Sequence, residues 1–247
     1  MSKGIVLSLY DYTGEALRPW AEAGYECYAF DIQHPKERVC NITPEGGSIT
    51  YRRADLHKVS TYKELLAEFW HDDINVVLGM AWPVCTDMAV SGAAWFKLKA
   101  ERDPEFQTKA VGYATQCAEL FEALGVPYMI ENPVSVLATK WRKPNHSFHP
   151  YEYGGYIPYS KAEHPRWPEY IAPFDAYPKK TCLWTGGGFV MPTKVPVTVP
   201  TGYSTQHKKL GGKSQRTKDI RSATPRGFAE AVYQSNKGEN HETSLSI

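Results

Sequence analysis

The chain has 247 residues, 42% of them apolar, which suits one domain with room for a small lobe and is too apolar for a disordered chain. The N-terminal apolar run, Ile5 to Tyr10, is too short for a membrane span or a secretory signal. Five scattered cysteines (Cys27, Cys40, Cys85, Cys117 and Cys182) form no Cys-x-x-Cys pair, arguing against a disulfide framework and a cysteine-rich zinc site and for reduced thiols in the cytoplasm.

Strand and helix signals alternate over residues 1–137. Gly4 to Leu9 is a short apolar run, read as the first strand. Gly14 to Ala23 places Ala16, Leu17, Trp20 and Ala21 on one helical face. Tyr25 to Phe30 alternates and ends at Asp31, a second strand; Ser48 to Asp55 is a weaker third. Ser60 to Trp70 reads as a helix capped by Ser60. Asn75 to Gly79 is a buried strand, Phe106 to Leu124 a long amphipathic helix stopped by Gly125, and Val126 to Ile130 a further strand. This alternation predicts an α/β fold with a mostly parallel, Rossmann-like sheet and right-handed crossovers. Ligands in such sheets bind at the carboxyl ends of the strands, so Asp11, Asp31, Asp55, Cys85 and Glu131 are expected on one rim.

The character changes after residue 137. Ten of the 18 prolines fall between Trp141 and Pro200, and eight aromatics between Trp141 and Tyr170, so residues 138–206 read as a small loop-rich lobe. Tyr177 to Trp184 offers one more strand. Residues 207–247 read as a basic segment followed by a final helix, Pro225 to Tyr233, that returns to the core. The net charge of +1 hides a marked asymmetry. Residues 138–226 hold 15 Lys/Arg and 5 Asp/Glu, a local +10, leaving 13 and 22, or −9, elsewhere. This fits either a polyanionic partner or a solvated basic face.

Cys85 stands just past a buried strand, in Pro83-Val-Cys-Thr86. A cysteine there is either an inert packed thiol or, at a rim loop, a nucleophile whose thiolate is favoured locally. Glu131-Asn132-Pro133 ends an apolar strand. A partly buried carboxylate there has a raised pKa and can share a proton with a heterocycle; a turn glutamate facing water is the other reading. The histidines His146, His149 and His164 lack the spacing of a metal site, and no metal is expected.

Taken together, these motifs resemble S-adenosylmethionine-dependent cytosine-C5 DNA methyltransferases over about residues 4–137. The carriers are a first strand with a glycine loop (Tyr10 to Gly14), an acid ending the second strand (Asp31), Pro83-x-Cys85, Glu131-Asn132-Pro133 and Ala223-Thr224-Pro225 before the last helix. The whole chain is similar to the short phage and prophage type. Shared blocks are Pro83 to Phe96, Lys179 to Trp184, and Arg221 to Ala229. The resemblance implies the class I methyltransferase type of sheet and a bacterial cytoplasmic setting.

It also implies roles. Cys85, in the loop shaped by Pro83, attacks C6 of a cytosine flipped out of DNA. Glu131, with Asn132 shaping its loop, holds N3 and the exocyclic amine. C5 then takes the methyl group, and proton loss from C5 expels Cys85. S-adenosylmethionine is the implied cofactor. The backbone of Tyr10, Asp11, Tyr12 and Gly14 would hold its methionine end, Asp31 with Ile32 its ribose side, Asp55 the adenine edge, and Ala223 and Thr224 would complete the pocket. Lys179 and Lys180 stand where the family has paired arginines. With Lys208, Lys209, Lys213, Arg216 and Arg221 they are the expected nucleic-acid contacts. Val84 intervenes between Pro83 and Cys85, Tyr12 occupies a glycine position, and only about 70 residues are available for target recognition. A free pyrimidine nucleotide as substrate, and a non-catalytic binder on the same fold, therefore stand as alternatives.

Overall fold

The computed structural model describes residues 3–44, 46–200, 209–211 and 214–238. Eight strands form one sheet: β1 (Ile5–Leu9), β2 (Glu26–Asp31), β3 (Arg38–Asn41), β4 (Ser48–Arg53), β5 (Val76–Ala81), β6 (Tyr128–Pro133), β7 (His146–Phe148) and β8 (Thr181–Gly186). The order across the sheet is β3-β4-β2-β1-β5-β6-β8-β7. Strands β4, β2, β1, β5 and β6 run parallel. β3 lies antiparallel on β4, and β8 is antiparallel to both β6 and β7.

The helices are α1 (Arg18–Glu22), α2 (Val59–Phe69), α3 (Phe96–Arg102), α4 (Phe106–Ala123), α5 (Leu137–Lys140), α6 (Gln215–Ser222) and α7 (Arg226–Asn236). Strand alternation sends side chains to two separate cores. Leu7, Leu9, Tyr128, Ile130 and Trp184 pack with Leu65, Phe69, Ala114 and Phe121 of α2 and α4. Val6, Met129 and Leu183 pack on the other face with Trp20, Phe228 and Val232 of α1 and α7, and with Tyr153 of the lobe. Gly79 permits the close approach of α4. A Cβ there would lie 2.3 Å from the Phe121 ring, so any side chain would push the helix off β5.

The chain winds from β1 outward to β2 and β4, then returns to the far side of β1 as β5. The switch point falls between β1 and β5, the position at which open parallel sheets carry their ligand crevice. Strands β7 and β8, from the loop-rich stretch, extend the sheet beyond β6, so this stretch contributes to the core sheet.

Several boundaries differ from the sequence reading. The expected helix over 14–23 splits into a 3₁₀ turn, Glu15–Leu17, and the single α-turn α1, because Pro19 in the first turn of α1 has no N–H to continue the earlier turn. Helix α2 starts at Val59 after Lys58, not at Ser60; the Asp55 carbonyl accepts the Lys58 N–H at 3.1 Å and begins the turn early. Strand β6 includes Glu131, Asn132 and Pro133, which antiparallel pairing to Thr181, Cys182 and Leu183 holds extended. Among the described residues, no helix is long and apolar enough to cross a membrane.

Candidate functional site

The loops after β1, β2, β4, β5 and β6 share the carboxyl rim, with the β1 and β5 loops at its centre. Asp11 organises the β1 loop. It is only 4% exposed, and its carboxylate accepts the Gly14 N–H at 2.7 Å and the Ser8 hydroxyl at 2.8 Å. Burial pushes the Asp11 carboxyl up, and these two bonds pull against that shift. Gly14 sits at φ 70°, where a Cβ would lie 2.5 Å from the Tyr51 hydroxyl, so glycine is required on both counts. Ser8 in turn accepts the Trp82 indole N–H at 3.0 Å. A continuous path Trp82–Ser8–Asp11–Gly14 therefore links the β5 loop to the β1 loop.

The tyrosines of the β1 loop divide. Tyr10 turns inward at φ 58° and donates its hydroxyl to the Leu56 carbonyl at 2.6 Å, so only its backbone serves the loop. Tyr12 is exposed and stacks on the buried His34, whose Nε2 lies 3.2 Å from the Asp11 carbonyl oxygen.

Two acids follow the neighbouring strands. Asp31 is buried at the end of β2. One oxygen accepts the Gln33 N–H at 2.8 Å, and the other has no hydrogen-bond partner among the described residues. Ile32 beside it is 46% exposed, an apolar surface next to an open acceptor. Asp55 is more fully engaged: it accepts the His57 N–H at 3.2 Å and pairs with Lys58 at 3.4 Å. Ala223 and Thr224 are buried between α6 and α7, where Ala223 packs with Ile171, Tyr177, Leu210 and Ile220.

The β5 and β6 loops carry the reactive groups. Asn132 is fully buried and donates from Nδ2 to the Pro83 carbonyl at 3.0 Å. The loops are also laced by backbone bonds, Val90 N–H to the Val134 carbonyl and Val136 N–H to the Met88 carbonyl, both 3.0 Å. The Cys85 carbonyl accepts the Met88 and Ala89 N–H groups, closing a turn at the cysteine. Lys99 of α3 braces this turn through the Thr86 carbonyl at 3.0 Å and the Asp87 carboxylate at 2.6 Å.

Cys85 is half-buried, and its thiol is pushed up by burial and then by the negative charge of Glu131, while Lys179 pulls it down. Burial likewise raises the Glu131 carboxyl, against the pull of Lys179. Cys85, Glu131 and Lys179 thus form one electrostatic group of thiol, carboxyl and ammonium. Cys27, Cys117 and Cys182 are buried, and burial raises each thiol; Glu26 adds to the rise at Cys27, while at Cys182 Lys180 pulls down and Glu131 pushes up; Cys40 lies on the edge strand β3. Cys85 alone among the five lies in a rim loop.

The basic residues take several positions. Lys179 donates to the Arg221 carbonyl at 2.8 Å, Lys209 to the Glu169 carbonyl at 2.6 Å, and Arg221 to the Leu210 carbonyl at 2.9 Å. Arg216 stacks over Tyr170, and Lys180 is exposed. These contacts brace the segment that includes α6, a helix absent from the sequence reading. Lys208 and Lys213 lie outside the described residues. Among the described residues, no group of three or more His, Cys, Asp or Glu side chains is placed to hold a metal ion.

Sequence reasoning missed Glu15 and Arg166. Arg166 forms an ion pair with the buried Glu15 and donates to the Thr13 carbonyl at 3.3 Å. Nor does the sequence show that the Lys179 charge acts on the Cys85 thiol.

No family model and no curated protein matches the chain. Among solved structures, an NADH-dependent reductase complexed with NAD is similar over 48% of this chain and 55% of that one, at 14% identity and a TM-score of 0.27. The match thus spans about half the length of that reductase.

Proposed function

We propose that the protein transfers a methyl group from S-adenosylmethionine to C5 of cytosine in DNA, through a covalent bond from Cys85 to C6. The observation that carries this reading is the Cys85–Glu131–Lys179 group on the carboxyl rim, reached by a cysteine loop that Asn132 anchors. Cytosine activation asks for a thiolate attacking C6 and an acid at N3 to take up the charge that attack creates. A carboxyl raised by burial is suited to hold that proton, and the Lys179 ammonium offsets part of the rise that burial and Glu131 impose on the thiol.

The sheet supports the class I methyltransferase type. Reversal of β8 between β6 and β7 departs from the all-parallel order of a plain dinucleotide-binding sheet. The crevice also suits the cofactor chemically. Asp31 offers an open carboxylate oxygen for ribose hydroxyls, Ile32 an apolar surface for adenine, and the Asp11–Gly14 turn a close backbone approach. S-adenosylmethionine supplies an electrophilic methyl group when bound. The chain's own residues bind and orient the base, hold the proton at N3 and form and release the bond to C6. The basic half supplies lysines and arginines for phosphates.

The test is transfer of label from methyl-tritiated S-adenosylmethionine to duplex DNA, single-stranded DNA and dCMP, for wild type and Cys85→Ser. Label in DNA cytosine that is lost with Cys85→Ser supports the reading. Label only in dCMP moves the substrate to a free nucleotide. Cofactor binding without transfer to any of the three leaves a non-catalytic binder.

A further inference from the structure

We infer that Arg166, in the loop-rich lobe, is a positioning residue for the Asp11–Glu15 loop. The inference takes from the proposed function only the identity of the loop's ligand, the methionine end of S-adenosylmethionine. One peptide unit of the loop is held at both ends. Its carbonyl, on Thr13, accepts from Arg166 at 3.3 Å, and its N–H, on Gly14, donates to Asp11 at 2.7 Å. Because the peptide is planar, fixing its oxygen from one side and its nitrogen from the other fixes its rotation. Asp11 belongs to the loop itself; Arg166 is 153 residues away from Thr13 and brings the external restraint.

Arg166 is itself held. The buried His164 accepts the Arg166 N–H at 3.2 Å and the Trp167 N–H at 3.1 Å, both on Nδ1. That pairing leaves the ring proton on Nε2 in the neutral imidazole. The start of the same segment is gripped from α7: Arg226 donates to the Lys161 and Ala162 carbonyls at 2.8 and 2.9 Å. The Arg166 guanidinium lies 4.9 Å from the Trp167 ring centroid and pairs with Glu15, which is only 8% exposed. Removing Arg166 would free the Thr13 carbonyl and leave a buried carboxylate without its cation. The loop would lose the orientation of the Thr13–Gly14 peptide, while the Cys85–Glu131–Lys179 group would keep its own contacts.

The experiment combines amide hydrogen exchange on the free protein with calorimetric titration of S-adenosylmethionine, duplex-DNA titration and the methyl-transfer assay, for wild type, Arg166→Ala and Arg166→Lys. With Arg166→Ala, Gly14 exchange should accelerate while the β1 and β2 amides keep their protection. S-adenosylmethionine should bind about tenfold more weakly, the effect of losing roughly one charge-assisted hydrogen bond. At saturating cofactor, kcat should stay within about twofold of wild type, since the loss falls on binding shared by ground and transition states. Arg166→Lys keeps the charge and a donor, and should recover part of both losses; it also carries the comparison if the alanine variant unfolds. Gly14 exchange that is the same in all three proteins overturns the inference. So does weaker duplex binding with unchanged Gly14 exchange, which would make Arg166 a phosphate contact. A wild type that binds no S-adenosylmethionine, with Gly14 protection still dependent on Arg166, defeats the cofactor reading and leaves the positioning role standing.

Discussion

Asn132 donates to the Pro83 carbonyl across 49 residues of chain, at 3.0 Å and out of contact with solvent. The bond ties the end of β6 to the β5 loop two residues before Cys85, so the carboxyl and the thiol are held by one fixture. Replacing Asn132 with alanine leaves a buried carbonyl without its donor. Denaturant titration should show a loss of about 1–3 kcal/mol, and methyl transfer should fall by more than stability alone explains. Wild-type transfer rates from a destabilised Asn132→Ala would separate this fixture from catalysis.

Glu131 and Lys179 pull the Cys85 thiol in opposite directions. Removing the negative charge with Glu131→Gln should make the thiol more acidic. Removing the positive charge with Lys179→Gln should make it less acidic. The pH dependence of iodoacetamide alkylation, in a background where the other cysteines are buried or replaced, reports both. The midpoint should move to lower pH in Glu131→Gln and to higher pH in Lys179→Gln. Glu131→Gln should nevertheless transfer methyl more slowly, because the proton holder for N3 is gone. Midpoints that coincide in all three proteins would break up the electrostatic group.

Asp31 and Asp55 differ in how far the protein already satisfies them. Asp31 keeps one carboxylate oxygen open among the described residues, whereas Asp55 is engaged by the His57 N–H and Lys58. Asp31→Ala should therefore weaken S-adenosylmethionine binding by about 1.5–3 kcal/mol, and Asp55→Ala by less. Calorimetry giving the reverse order would place the ribose at the end of β4 instead.

Asp175 and His164 give opposite pH signatures in one window. Burial raises the Asp175 carboxyl from 3.8 to about 6, although the Arg226 charge pulls it down. The folded state then binds the extra proton, so this group's contribution to stability is present at low pH and is lost as pH rises from about 4 to 6. Burial lowers His164 from 6.5 to about 4, with the charges of Arg226 and Arg166 acting the same way and Glu15 against. Its contribution is present above about 6.5 and is lost as pH falls toward 4. Relative to wild type, Asp175→Asn should gain stability as pH rises through this window. His164→Asn, whose amide oxygen can still accept from the backbone, should lose it. Urea unfolding at several pH values, with the two difference curves sloping the same way, would contradict these assignments.

Much of the frame was legible because periodicity and strand ends are local signals. The apolar run of β1 and the long face of α4 announce themselves, and the rim positions of Asp31 and Cys85 follow from where the strands stop. β3 and β7 have only four and three residues, too few to display alternation, and they exist through pairing with β4 and β8. Helix α6 buries only Thr217 and Ile220, so its sequence reads as a charge run rather than an amphipathic face. The contact from Arg166 to Glu15 joins positions 151 residues apart and leaves no mark on either neighbourhood.

The central claim is a covalent bond from Cys85 to the target base, and trapping tests it most directly. Duplex DNA containing 5-fluoro-2′-deoxycytidine cannot lose the C5 substituent that releases the enzyme. Incubation with S-adenosylmethionine should give a denaturation-resistant adduct with wild type, whose mass maps to the peptide containing Cys85, and none with Cys85→Ser. An adduct that survives Cys85→Ser, or methyl transfer by wild type that leaves no adduct on the fluorinated duplex, would contradict the account.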